Sequence, residues 1–456
     1  MAGIGFELRK LLKSDTYSGL LQAYLYAGVI SSGSWVLSII GVLIIGFMSL
    51  SVVVPEFLVT QFQVSVTYIM VGSLVLTGLI QLAFTRFIAD RMFEERYEIV
   101  MPNFNGLLML VMLASGGLGV LALFLFFNGV GAAYKLLLLC GFVAMCCIWV
   151  TTLALSGMKY YKTIVAMYGA GYAISVLTAL VLRPFGLEGL LAGFVFGHVV
   201  LLTGMLSLIY RDYPSSRFVA FDFLKKGVMY PSLMVSGFAY NLGVWIDKII
   251  FWFYPDTGQN VIGPLRASLI YDFPIFLAYL SVIPGMAVFL VRMETDFVEY
   301  YQKFYDSVRE GGTLEYIEEM RDKMVHTIRQ GLGEIVKIQA IAVLLTFVLG
   351  PSLLRWLGIS ELYLPLLYVD VVAAALQVVL LGLLNVFYYL DKRLNVLALV
   401  LFFLAANAAL TFATLKLGAT FYGYGFALSL LATVVIGMLL LDRRLERLEY
   451  ETFMLQ

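Results

Sequence analysis

Apolar runs of about twenty residues recur from one end of the chain to the other, at 22–49, 62–84, 104–127, 135–156, 163–182, 189–209, 229–253, 267–290, 333–354, 364–388, 395–415 and 420–441. At about 1.5 Å per helical residue each is long enough to cross roughly 30 Å of hydrocarbon. The pattern predicts an all-α polytopic membrane protein. The polar positions inside these runs are the informative ones. In 241–253 the apolar sequence is interrupted by Asp247 and Lys248, and a hydrocarbon interior has no water to solvate either charge. On a helix, Ser236, Tyr240, Gly243 and Asp247 recur every three or four residues, with Gly237, Asn241 and Lys248 in an adjoining row. Val235, Phe238, Leu242, Ile246, Ile249 and Phe253 take the opposite side, so one face suits lipid and the other a cavity wall. The plainer alternative is a neutralised Asp-Lys pair near a helix end.

A second polar stripe runs along 364–388 through Asp370, Ala374, Gln377, Leu381, Asn385 and Tyr388. Measured from the middle of each run, Asp247, Asp272 and Asp370 fall at a common depth, about 6 to 9 Å toward the outer side. Two functional readings follow. In the first, Asp247, Lys248, Asp370, Asp272, Asn241, Tyr240, Gln377 and Asn385 line a conduit over which a polar cargo passes. In the second, Lys248 pairs with Asp370 or Asp247, and making or breaking that pair gates access. Buried ion pairs that only hold helices in register are the structural alternative. His198, near the middle of 189–209, is either a proton carrier or a hydrogen-bonded packing residue. Glu334 and Lys337 read as a solvated helix end, and Arg266 as an interface anchor or a partner of Asp272.

Composition agrees with the pattern: of 456 residues 61% are hydrophobic and 13% charged, and mean hydropathy is +0.93. Thirty basic residues balance thirty acidic ones, so no nucleic-acid partner is expected. Twenty-three of the Lys and Arg residues fall in one set of loops, against Lys135, Arg183, Arg266, Arg355 and Lys416 in the other. This bias puts both termini in the cytoplasm. The outer loops are short and leave no room for an external catalytic domain. The longest connection, 291–331, reads as two cytoplasmic helices ended by Gly311 and Gly312. Its aromatic stripe of Phe297, Tyr300, Tyr301, Phe304 and Tyr305 is either a docking surface for a cytoplasmic partner or packing for the chain itself. Cys140, Cys146 and Cys147 share one run without a companion cluster and read as buried inert thiols; no metal or cofactor is expected. No phosphate-binding loop of the G-x-x-x-x-G-K type occurs, so the chain should not hydrolyse ATP. Residues 5–13 are amphipathic rather than a cleavable signal.

The polar stretch 211–228 divides the runs six and six, giving a first bundle at 1–210 and a second at 229–456 that includes the cytoplasmic loop 291–331. Local echoes support a duplication. Arg183-Pro184-Phe185-Gly186-Leu187-Glu188-Gly189 and Lys416-Leu417-Gly418-Ala419-Thr420-Phe421-Tyr422-Gly423 each place a basic residue and a glycine turn before a small-residue helix start. Lys159-Tyr160-Tyr161-Lys162 and Tyr388-Tyr389-Leu390-Asp391-Lys392-Arg393 occupy equivalent turns.

Twelve runs in two sets of six, these glycine turns and the Asp-Lys of the seventh run resemble the polysaccharide-transporter branch of the MOP flippase superfamily. More narrowly, Met1-Ala2-Gly3-Ile4-Gly5-Phe6-Glu7-Leu8-Arg9-Lys10-Leu11-Leu12 and Ser31-Ser32-Gly33-Ser34-Trp35 resemble the PelG family, the inner-membrane transporters of the Pel exopolysaccharide system. The resemblance implies a MATE-like fold, with twelve transmembrane helices in two pseudo-symmetric six-helix bundles around a central cavity. It further implies export of a galactosamine-containing polymer in a complex with the scaffold proteins PelD and PelE and the glycosyltransferase PelF. Three alternatives remain: a lipid-linked oligosaccharide flippase, a multidrug or cation antiporter, and a non-transporting scaffold for a synthase. Antiporters of that kind commonly use a carboxylate in the first span, and 24–50 contains none.

Overall fold

The computed structural model describes residues 17–50, 52–157, 160–212, 215 and 217–454. The amino-terminal phrase at 1–12 and the amphipathic stretch 5–13 lie outside them, as do Lys159 and the side chains at 31–35. The chain is helical where the apolar runs predict it: α1 (Tyr17–Ser49), α2 (Phe57–Phe93), α3 (Tyr97–Phe126), α4 (Ala132–Gly157), α5 (Tyr161–Leu182), α6 (Gly186–Asp212) and α7 (Pro231–Phe253). After a short hairpin of β1 (Gln259–Ile262) and β2 (Leu265–Ala267) come α8 (Leu269–Leu280), α9 (Ile283–Val291), α10 (Val298–Arg309), α11 (Leu314–Trp356), α12 (Leu364–Tyr389), α13 (Arg393–Leu417), α14 (Tyr424–Glu446) and α15 (Leu448–Met454). Among the described residues eight helices are long and apolar enough to cross a membrane, or nine if the bent pair α8 and α9 forms one span. That count takes 162–212 as one stretch, yet the chain reverses inside it. Arg183–Phe185 is a 3-10 turn, Gly186 sits at φ +68°, and a Cβ on Gly193 would fall 2.3 Å from the Ala179 Cα. Only a glycine admits both that dihedral and that approach, so α5 and α6 form an antiparallel hairpin. The echoed turn between α13 and α14 repeats the device, with Gly418 at φ +102° and Gly425 pressed against Thr411.

Two compact units emerge. In the unit of Gly33–Leu269, α2 is central, with α3, α4, α6 and α7 packed around it. The strand pair that follows α7 returns onto α2: Gln61 Nε2 donates to the Val261 carbonyl at 2.9 Å, and Tyr68 OH to the Arg266 carbonyl at 2.9 Å. Residues 217–226 are not a free linker. Asn103, near the start of α3, accepts from the Asp222 amide at 2.6 Å and donates to its carboxylate at 3.0 Å, while Asn105 donates to the Phe218 carbonyl at 2.7 Å. Lys225 and Asn103 together hold the Asp222 carboxyl below the usual carboxylate range. Phe223 is fully buried against Phe84 and Phe87, and the stretch is a strap fastened to α3. Cys146 and Cys147 are buried as expected, but Cys140 is exposed, because it lies on the outer side of α4.

The other unit comprises Ile270–Gln456 with the chain up to Ser32. Its run at 267–290 is broken, with α8 and α9 meeting at 41° across Ser281 and Val282. Pro284, in the first turn of α9, has no amide to give, so a straight helix through it would lose a backbone hydrogen bond. Gln339 of α11 donates to the Val282 carbonyl at 3.2 Å and satisfies the break. Beyond α9 the chain stays helical through a π-helical segment, Arg292–Phe297, into α10, which ends before Gly311 at φ +73° as its sequence predicts. Phe297 and Phe304 are fully buried, and Tyr389 of α12 packs its ring against Phe297 and Tyr301 at centroid distances of 5.2 and 5.4 Å. The aromatic stripe therefore faces the chain's own core. Glu334, expected at a solvated end, is held by Arg292 in a bidentate bridge of 2.5 and 3.0 Å, with Asp296 on the same guanidinium at 2.6 Å. At the carboxyl end, burial pushes the Glu451 carboxyl up, but Lys392 and Arg444, each 2.6 Å away, outweigh it and hold the group below the usual range.

Candidate functional site

The sequence-predicted residues fall in both units. In the unit of Gly33–Leu269, α7 approaches α2 where two glycines meet: a Cβ on Gly237 would lie 2.3 Å from the Gly78 carbonyl oxygen, and one on Gly78 would lie 2.6 Å from Asn241 Nδ2. The close approach lets Asn241 donate to the Leu74 carbonyl of α2 at 2.9 Å. Beside it α2 carries its own polar ladder. Thr77 donates to the Ser73 carbonyl at 2.7 Å, Gln81 to the Thr77 hydroxyl at 3.0 Å, and Trp149 to the Ser73 hydroxyl at 3.0 Å. Replacing Gly237 with alanine forces the two backbones apart. We expect a loss of about 1–3 kcal/mol, read as a lower unfolding midpoint in detergent; an unchanged midpoint would contradict the crossing.

Two turns further along α7, Asp247 and Lys248 are 0% and 1% exposed. Adjacent helix residues point about 100° apart and do not face each other by default. The Lys248 stem folds back so that Nζ donates to Asp247 Oδ1 at 3.2 Å, to Oδ2 at 3.0 Å and to the Val244 carbonyl at 2.9 Å. The Trp245 ring centroid lies 5.8 Å from the same ammonium. Tyr240 and Asn241 are half-buried on this helix. Arg266, at the hairpin, donates to the Gly258 carbonyl at 2.9 Å. His198 is buried; its Nδ1 lies 2.8 Å from the Phe194 carbonyl, which can only accept, so Nδ1 carries the proton. Phe194 lies over its ring at a tilt, with centroids 3.9 Å apart, and Tyr172 meets it edge-on at 5.0 Å.

In the other unit, Asp370 is fully buried on α12, beside Gly423 at the start of α14. Gln377 lies one to two turns on, and its buried Oε1 has no hydrogen-bond partner among the described residues. Asp272 lies in the first turn of α8. Asn385 meets a residue that sequence reasoning passed over. Glu294, 2% exposed in the π-helical segment, accepts from Asn385 Nδ2 at 3.4 Å and from Tyr389 OH at 3.0 Å. A π-turn shifts the helical phase by one residue, turning Glu294 and Thr295 inward while Arg292 and Asp296 stay half-buried. The signal available was a single glutamate between Arg292 and Asp296, and a run of charges ordinarily marks a helix leaving the membrane.

Both parts share one chemistry: carboxylates, amides and tyrosines enclosed in apolar helices. Such groups form and exchange hydrogen bonds with polar partners.

The family model PelG, described as "Putative exopolysaccharide Exporter (EPS-E)", matches residues 1–453. Among curated proteins none matches by sequence. Among solved structures, the chain is similar to an outward-facing multidrug resistance MATE family transporter of the MOP superfamily, with a TM-score of 0.66 and 13% identity over 93% of this chain and 96% of that one. A MOP superfamily transporter from Pyrococcus furiosus gives 0.63 at 13% identity over 94% and 96%. An inward-facing MATE transporter gives 0.62 at 14% identity over 93% and 96%. At these identities the likeness establishes the fold.

Proposed function

The chain belongs to the PelG family of exopolysaccharide exporters and has the fold of MOP superfamily transporters, and on that premise we propose that it carries a Pel-like, galactosamine-containing polymer from the cytoplasm to the periplasm. The family match over residues 1–453 is the observation that carries this reading. It supports a multi-pass membrane transporter. The charge bias of the loops supports a bacterial inner-membrane location with both termini cytoplasmic, and the repeated glycine turns support twelve spans in two six-helix bundles.

The chemistry of the buried polar groups supports the choice of cargo. Asp247, Asp370 and Glu294 are carboxylates, and Lys248 is already engaged by Asp247. Buried carboxylates of this kind suit neutral or amino sugars, whose hydroxyls and ammonium groups donate to carboxylates, better than a polyanion. Lys248 with Asp247, and Glu294 with Asn385 and Tyr389, are two sets of bonds that a passing sugar or a conformational change can exchange. The driving force on this reading is an ion gradient, polymer synthesis by a cytoplasmic glycosyltransferase of the PelF kind, or both. Partners of the PelD and PelE kind would then hold synthase and transporter together.

Deleting the gene in a cell that makes the polymer, then supplying the chain on a plasmid, tests the proposal. Polymer should accumulate inside the deleted cell and return to the outside on complementation. Normal export without the chain would contradict it.

A further inference from the structure

The strap at 217–226 has an unusual surface for a connection pinned so firmly. Its inward residue Phe223 is buried, yet Phe218, Phe221 and Leu224 are exposed and alternate with exposed Arg217, Lys225 and Lys226. With Asp222 as the one acidic residue, the strap carries a net charge of +2. Above it lies a groove of about 290 Å³, walled by Leu108, Met109, Met112 and Leu113 of α3, Tyr210 of α6 and Phe218 of the strap. The polar groups in its wall engage one another and the strap: Asn105 donates to the Phe218 carbonyl and accepts from Tyr210 OH at 2.9 Å. What remains of the groove is apolar. It opens onto the outer face of α3, where Leu118, Val120, Leu121 and Phe124 continue the exposed apolar surface to the far end of the helix.

An apolar trough running into the lipid-facing side of a span, ending at exposed aromatic and basic side chains, has the division of chemistry found in a phospholipid. We propose that this groove binds one anionic phospholipid of the bilayer, with an acyl chain along α3 and the headgroup phosphate at Arg217, Lys225 and Lys226. Charge decides between lipid classes. Each basic residue near an anionic headgroup adds attraction that a zwitterionic lipid does not feel. Fastening by Asn103 and Asn105 holds the strap that carries the basic residues and walls the groove with Phe218, so the site is built before the lipid arrives. The strap joins α6 to α7, and the bound lipid would anchor the α7 start at the membrane surface.

The test is native mass spectrometry of the full-length protein purified in detergent, with phosphatidylglycerol and phosphatidylcholine as probes. Phosphatidylglycerol should stay bound under conditions that strip phosphatidylcholine. Combined Arg217→Ala, Lys225→Ala and Lys226→Ala should weaken phosphatidylglycerol by about fivefold per charge removed and leave phosphatidylcholine unchanged. Lys225 also bonds Asp222 at 2.6 Å, so the Arg217→Ala, Lys226→Ala pair, which keeps that bond, is measured beside it and should lose two such factors. Leu113→Trp, which fills the groove, should remove both lipids at an unchanged melting temperature. Equal retention of the two lipids by the native protein, or a preference that survives the charge substitutions, would overturn the site. A dimer mass abolished by Leu113→Trp would give the groove to a second copy of the chain and would overturn it as well.

Discussion

Replacing Lys248 with methionine should sharply lower the unfolding midpoint of the purified protein, and adding Asp247→Asn should restore the midpoint without restoring export. The reasoning starts from solvation. Both groups are sealed from water, and the ammonium meets both carboxylate oxygens and the Val244 carbonyl. Removing the ammonium leaves Asp247 buried without the cation that it faces, at a cost of about 3–5 kcal/mol. Removing both charges together is close to neutral for stability, because apolar or amide replacements need no counter-charge. Export separates the structural role from the functional one. If the pair forms in one access state only, losing it removes that difference between the states, and transport stalls in a folded protein. Thermal melting and surface polymer, measured on the single and double variants at matched membrane abundance, check both parts. A double variant that exports normally would reduce the pair to a helix staple.

Glu294→Gln should abolish most export while moving the melting temperature little. Glutamine has the same shape, keeps one acceptor for Tyr389 or Asn385 and removes the charge with the second acceptor, so the stability change should stay near 1 kcal/mol. Tyr389→Phe, which takes away the 3.0 Å donor but keeps the ring on Phe297 and Tyr301, should weaken export less. A carboxylate enclosed by helices and 2% exposed is costly to keep, and the π-helical segment that turns it inward is itself a local departure from regular geometry. Full export by Glu294→Gln would mean that this cost serves packing alone.

Much of this was legible in the sequence, for identifiable reasons. Asp247 and Lys248 stood out because charges within an apolar run have no bland solvent explanation. The reversals at Gly186 and Gly418 were legible because a positive φ selects glycine. Three features were not. The strand pair at 259–267 is too short to show a two-residue period, and only Gly263-Pro264 marked its turn. The break at Ser281 and Val282 was hidden by unbroken hydropathy, with Pro284 as its one sign. Glu294 escaped because a stripe drawn at 3.6 residues per turn does not anticipate a π-turn. The fastening of 217–226 was invisible for a different reason: Asn103 and Asn105 lie more than a hundred residues earlier, and one-dimensional patterns carry no such pairing.

Transport itself is most directly tested in sealed vesicles that contain the purified chain with its polymer-synthesising partner outside and the sugar-nucleotide precursor supplied there. Labelled polymer should become protected inside the vesicles, and the Asp247→Asn, Lys248→Met double variant should leave it outside at an unchanged rate of synthesis. Protected polymer in vesicles that lack the chain, or equal protection by the double variant, would contradict the account.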